Sequence, residues 1–167
     1  MDNFLPTQIN GLLSKPLKVI PDFRGEFQKI SLNSPFVEQD MAVSYNNVLR
    51  GFHYVTEGRR IFSLVHGRLY CVFLDIQEES DTKNDWFGIT LDSSNRQRFL
   101  IPSYVACSYL VLSPVAIVHY ELEFEYDESK QKTIRFDDER FNVYFPGDHK
   151  GYILSERDYF IDESLIR

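Results

Sequence analysis

The run Val48-Leu49-Arg50-Gly51-Phe52-His53-Tyr54 puts one histidine and one arginine on a strand-like segment. An imidazole titrates near neutral pH, so His53 is able to take a proton and return it under physiological conditions. Taken alone, a histidine on a strand is more often a satisfied structural group than a base. Partners decide the matter. The C-terminal run Ile153-Leu154-Ser155-Glu156-Arg157-Asp158 offers a carboxylate. An aspartate on one ring nitrogen fixes the tautomer and leaves the other nitrogen as base, although such a run is more ordinarily a solvated turn. Arg24, in Asp22-Phe23-Arg24-Gly25-Glu26-Phe27, and Arg50 carry guanidinium forks that suit pyrophosphate oxygens. Considered singly, each reads as a surface salt bridge. Arg60 begins a strand, where it would project into a cavity as a cation for an enolate oxygen.

A metal centre needs three or four converging ligands. His53 stands alone in its segment, and residues 102–107 supply only Cys107. His66, His119 and His149 lie far apart in turn, loop or surface contexts, so no metal is expected. Cys71 and Cys107 sit in apolar runs without metal-type spacing. Both are expected reduced and buried, as suits a cytoplasmic protein. The N-terminus has no basic start or long apolar stretch, so no signal segment is expected. No run approaches the roughly 20 apolar residues of a membrane helix. The net charge of −7 argues against nucleic acid and anionic lipid as partners, so a phosphate-bearing ligand must find a local basic pocket.

The elements that must hold these groups are strands. Hydrophobic residues make up 43% of the 167, enough for a sizeable core, and the 15% aromatic share favours strands over a helical bundle. Strand-like runs cover 26–31, 42–46, 48–54, 60–66, 69–75, 86–91, 97–101, 107–112 and 116–126. Asn46-Asn47, His66-Gly67, residues 78–85, residues 92–95 and Ser113-Pro114 separate them as turns. Many short strands at close spacing predict one all-β sandwich or barrel domain over 1–167. Short helical turns are expected only near 35–40 and 137–141. In the run 116–126, Ala116, Val118, Tyr120, Leu122, Phe124 and Tyr126 share an apolar face that should look inward. His119 falls among glutamates on the other face and is expected at the surface.

The ordered set DFRGEF, VLRGFHY, SLVHG, VFLDIQEESDT with Trp86 after it, IPSYVA, LVLSPVAIVHY, FEYD, DDERFNVYFP and ILSERD resembles the dTDP-4-dehydrorhamnose 3,5-epimerase family from about Asp22 to Asp158. The resemblance implies a cupin-type jelly-roll β-barrel or sandwich with a few short helical segments, assembled as a homodimer and using no cofactor. It implies metal-independent epimerisation of a nucleoside-diphospho-4-keto-6-deoxy sugar at C3, C5 or both, in surface-polysaccharide sugar biosynthesis. A C4 ketone acidifies the protons on C3 and C5. A base removes one, a cation steadies the enolate, and an acid returns a proton on the opposite face.

By position, the resemblance makes His53 the base, Asp158 its carboxylate partner and Tyr120 the acid. It makes Arg24 and Arg50 pyrophosphate contacts, and Phe27 and Tyr126 aromatic neighbours of the nucleoside. Three positions depart from the family pattern. Arg60 stands where the family usually has lysine, keeping the charge with altered geometry. Cys107 replaces the second histidine, with Tyr104 in place of a nearby glycine. Lys29 replaces an acidic residue that resembles a thymine contact, which swaps acceptor for donor. These changes open the substrate to GDP-linked sugars, heptoses included, and to inversion at one carbon only. A non-catalytic sugar-nucleotide binding cupin and a related ketoisomerase are the alternatives. In a regular strand Arg50 and His53 face opposite sides, so if both meet ligand, Gly51 should mark a bulge.

Overall fold

Alternating apolar and polar residues between turn signals form strands here because each strand has a core on at least one side. In the computed structural model, residues 4–23, 25–28, 36–127 and 130–159 are described. Thirteen strands run among them. They are β1 (Leu5–Pro6), β2 (Leu13–Pro16), β3 (Val19–Asp22), β4 (Gly25–Gln28), β5 (Glu38–Tyr45), β6 (Leu49–Tyr54) and β7 (Arg60–His66), followed by β8 (Leu69–Asp75), β9 (Trp86–Leu91), β10 (Gln97–Ile101), β11 (Val105–Val111), β12 (Val115–Leu122) and β13 (Lys132–Thr133).

They make a six-stranded sheet, β1-β2-β10-β7-β12-β5, a five-stranded sheet, β13-β6-β11-β8-β9, and a separate β3-β4 hairpin. The crossing between sheets after nearly every strand is the cupin-type jelly-roll arrangement. Phe62, Phe99 and Val118 from the larger sheet meet Cys71, Phe73 and Val105 from the smaller one in a core between them. A second core lies on the far side of the smaller sheet. There Leu49, Phe52, Val72, Leu74 and Leu110 are covered by Phe136 and Phe145 of the C-terminal segment. β8 is therefore buried on both faces, which explains its continuous apolar run. Each such large side chain contributes about 1.5–3 kcal/mol when removed from water.

Several expectations need correction. Glu38–Tyr45 is a strand, so the helical turn expected near 35–40 does not form in residues 36–40, and residues 137–141 make turns rather than a helix. Helical structure falls later, in a 3-10 turn at His149–Gly151 and in α1 (Glu156–Tyr159). β12 stops at Leu122, the last residue paired with both β5 and β7, so Phe124 and Tyr126 lie beyond the ladder. His119 is not a surface residue: it is 7% exposed, beside the buried Glu121. Arg98, reaching over from β10, pairs with Glu121 and makes that burial tolerable.

Candidate functional site

The site begins with a local irregularity in β6. Across β11, Cys107 pairs with His53 and Tyr109 with Arg50, so two residues of β6 stand opposite one of β11. That extra residue is a bulge, and it turns both Arg50 and His53 toward one cavity. Gly51 makes it possible. Its φ is +104°, and a Cβ there would sit 2.5 Å from the Cys107 carbonyl oxygen.

The C-terminal chain delivers the carboxylate. Ile153 bridges to Val48 at the start of β6, with Ile153 N–H donating to Asn47 O at 2.8 Å. Ser155 then caps the single turn of α1, accepting from the Asp158 N–H at 3.2 Å. Asp158 Oδ1 thereby lies 2.6 Å from His53 Nε2, and Asp158 Oδ2 accepts from the Gly51 N–H at 3.5 Å. The Asp158 side chain is 3% exposed and that of His53 is 22% exposed, so the aspartate sits behind the imidazole. Burial pushes the Asp158 carboxyl upward, but the His53 ring, Ser155 and the Gly51 N–H outweigh it and hold the carboxyl below its ordinary value.

The cavity has a volume of about 410 Å³, within the range of small-ligand sites. Arg60, 5% exposed, lines it, with guanidinium donors on the carbonyls of Val105 at 3.1 Å and His53 at 3.4 Å. No carboxylate among the described residues pairs with it, and burial lowers its affinity for the proton, while Cys107 and Tyr120 act the other way. Tyr120 is half-buried opposite. Burial, then Tyr109 and Cys107, push its phenol well above the ordinary value, with Arg60 opposing them. Arg50 stands at the rim, donating through Nε to Ser44 Oγ at 2.9 Å.

The structure thus brings His53, Asp158, Tyr120, Arg60, Arg50, Cys107 and Tyr126 around one space, Asp158 from behind His53. Phe27 is elsewhere: it is 64% exposed on the β3-β4 hairpin and lines no part of this cavity. Arg24 and Lys29 lie outside the described residues. Cys107 is buried and free, its sulfur 3.9 Å from that of Cys71. Among the described residues, no three His, Cys, Asp or Glu side chains converge as a metal site, and no helix is long and apolar enough to cross a membrane.

Among the lining residues that escaped the sequence reading, Arg157 and Tyr109 matter most to the chemistry. Arg157 lines the cavity and donates to Gln131 O at 2.6 Å and Gln131 Oε1 at 3.0 Å. Its place beside Asp158 in the same short run was the available signal. Tyr109 faces inward with Cys107, as strand alternation two residues on requires.

The sequence profile of dTDP-4-dehydrorhamnose 3,5-epimerase matches residues 6–163. The chain is 30% identical over 181 residues to the enzyme of that name from Escherichia coli (strain K12), covering 99% of this chain and 97% of that one. It is 29% identical over 139 residues to a spore coat polysaccharide biosynthesis protein of Bacillus subtilis (strain 168), covering 78% and 92% of the two chains. The crystal structure of a dTDP-6-deoxy-D-glucose-3,5-epimerase from Legionella pneumophila Philadelphia 1, in complex with dTDP-4-keto-L-rhamnose, superposes with a TM-score of 0.84 at 27% identity, covering 98% of this chain and 96% of that one. With a jelly roll, a bulged strand that aims a carboxylate-backed imidazole into a cavity, and a profile match over nearly its whole length, the chain belongs to the dTDP-4-dehydrorhamnose 3,5-epimerase family.

Proposed function

We propose that the protein inverts C3, C5 or both of a nucleoside-diphospho-4-keto-6-deoxy sugar, supplying a cell-surface polysaccharide pathway from the cytoplasm. The observation that carries this reading is the 2.6 Å contact of His53 Nε2 with Asp158 at the wall of a cavity that also holds Tyr120 and Arg60. The contact leaves Nδ1 as the nitrogen that takes the proton. The C4 ketone supplies the acidity of the neighbouring C–H bonds. Arg60 steadies the enolate oxygen, and Tyr120 returns a proton to the other face. Arg50 and Arg24 hold the diphosphate, while Tyr126 flanks the nucleoside. Lys29 and Cys107 shift which base and sugar fit, with GDP-linked sugars among the candidates.

The test is solvent deuterium. Incubation in D2O with dTDP- and GDP-linked 4-keto-6-deoxy sugars is expected to label C3 or C5 of at least one of them. No label in any would defeat the reading.

The same reading assigns a homodimer. Met41, Val43 and Tyr45, 65%, 48% and 67% exposed, make an apolar row on β5, the edge strand of the larger sheet. An exposed apolar edge of this kind needs cover, and a second copy supplies it. The β3-β4 hairpin, with Phe23 98% exposed, points the same way, since a lone two-stranded hairpin has little stability of its own. Sedimentation is expected to show a dimer that Val43→Asp converts to monomer. A wild-type monomer at micromolar concentration would remove this assignment.

A further inference from the structure

One hydroxyl in the cavity wall has no structural explanation. Tyr109 is 1% exposed, and its phenol oxygen is buried without a hydrogen-bond partner. A buried orphan hydroxyl costs stability, and a phenylalanine would fill the same space without that cost. The ring is well placed for a function. It extends from β11 two residues after Cys107, opposite Arg50 on β6. Its centroid lies 5.8 Å from that of Phe62, and the Tyr120 centroid lies 5.6 Å from the same ring. The two phenols therefore pack on one phenylalanine, and both line the cavity.

Ser44 and Tyr120 stand toward the Tyr109 oxygen as hydrogen-bonding side chains, neither at full hydrogen-bond geometry, with the Arg50 charge and the Cys107 thiol also near. Ser44 Oγ accepts from Arg50 Nε and keeps its own O–H, which can meet the Tyr109 oxygen and still leave the Tyr109 hydrogen to be donated elsewhere. Arg50 is a cation and offers no lone pair, and a thiol is a weak acceptor. Only the Tyr120 oxygen changes its need for a donor during the proposed reaction. We propose that Tyr109 is a positioning residue for the acid, donating a hydrogen bond to the Tyr120 oxygen as Tyr120 protonates the enolate.

This rests on the epimerase reading above. In the step concerned, the enolate electron pair forms the new C–H bond with the Tyr120 proton, the Tyr120 O–H bond breaks and the C4 carbonyl re-forms. The negative charge moves onto the Tyr120 oxygen. Tyr120 lies in a place where burial opposes that charge. Arg60 offsets part of the opposition, and the Tyr109 hydroxyl, a donor already desolvated and uncommitted, offsets more. Water then restores the proton to Tyr120 and takes the one held by His53, so the cycle closes without an external reactant.

The test uses Tyr109→Phe in D2O, with whichever dTDP- or GDP-linked 4-keto-6-deoxy sugar the wild type turns over. Two routes lead from the enolate. His53, after exchange with solvent, returns deuterium to the face it came from, giving labelled but uninverted substrate. Tyr120 delivers to the opposite face, giving inverted product. The variant is expected to raise the ratio of labelled substrate to inverted product about tenfold, with KM close to wild type and Tm at or above it. In a Tyr120→Phe background, where inversion is already lost, the same substitution is expected to leave the rate of substrate labelling unchanged, because the acceptor of the hydrogen bond is gone. An unchanged ratio in Tyr109→Phe, or an equal fall in labelling and inversion, would overturn the assignment. Wild-type protein that labels no sugar would overturn the epimerase reading and this assignment with it.

Discussion

Among the described residues two histidines lie within 4 Å of a carboxylate, and only one of them has its ring at the cavity wall. His53 has its Nε2 held at 2.6 Å by Asp158 and its ring at the cavity wall. His119 lies on the opposite face of β12 from Tyr120, with Nε2 3.2 Å from Gln39 Oε1 and Nδ1 3.9 Å from Glu121 Oε1. Glu121 is shared with Arg98, and its pull on an imidazolium is outweighed by burial. Nearness of a carboxylate therefore does not by itself single out the proposed base. The difference lies in whether the carboxylate has a competing cation, and whether a ring nitrogen opens on space where a substrate fits.

That contrast can be broken from either side. The largest expected effect is on the open side. His53→Ala is expected to cut deuterium exchange about 10³–10⁴-fold, or roughly 4–5.5 kcal/mol in the barrier, while leaving folding intact. Steady exchange in that variant would remove the base from the mechanism. On the closed side, Glu121→Gln leaves the Arg98 cation buried and unpaired. Its expected cost is about 3–5 kcal/mol of stability, read as a lower midpoint in urea unfolding. Exchange per folded molecule is expected to stay near wild type, since the pair lies on the outer side of the sheet. Returning to the open side, Asp158→Asn keeps the shape but lets the imidazole take either tautomer. A loss of about 10²-fold in kcat, near 2.7 kcal/mol, is expected with KM little changed. A change confined to KM would make Asp158 a substrate contact instead.

The same contrast shows how far the amino-acid sequence could be followed. The bounds of β7, β8, β9 and β10 were legible, because period-two patterning and turn residues are local. β1 and β2 were not, since strands of two and four residues that include Pro6 and Pro16 carry too little pattern. Pairing with β10 through Ser14 and Phe99 is what makes β2 a strand. Alternation carried the reading of β12 too far, past Leu122, because the ends of β5 and β7 that stop the ladder are invisible locally. It also put His119 in water, because Arg98 lies 23 residues from Glu121 and nothing in either segment announces the pair. The bulge at Gly51 was anticipated by a conflict, two ligand-facing side chains on opposite sides of a regular strand. The pairing of His53 with Asp158, 105 residues apart, was accessible only through family resemblance. Tyr109 was overlooked although strand period alone places it beside Cys107.

The smallest effect separates the two histidines by pH. Burial, above all, holds His119 below its ordinary value. Arg98 works in the same direction, against the opposing pull of Glu121 and Asp40. The folded chain therefore binds fewer protons there than the unfolded one. As pH falls through about 6.5, where an unperturbed histidine charges, unfolded chains gain a proton that folded chains refuse. Stability drops with falling pH from there down to the lowered folded value, and levels off below it. His119→Gln is expected to remove that slope from a plot of Tm against pH and to leave deuterium exchange at its wild-type rate. Asp158, whose carboxyl is also lowered, has its window further down: its contribution is full above the ordinary carboxylate range near ~3.9 and lost as pH falls through its folded value. The stability profile should therefore carry two descents on acidification, and only the upper one should vanish with His119. If the upper descent survives in His119→Gln, the buried face of β12 is not its source.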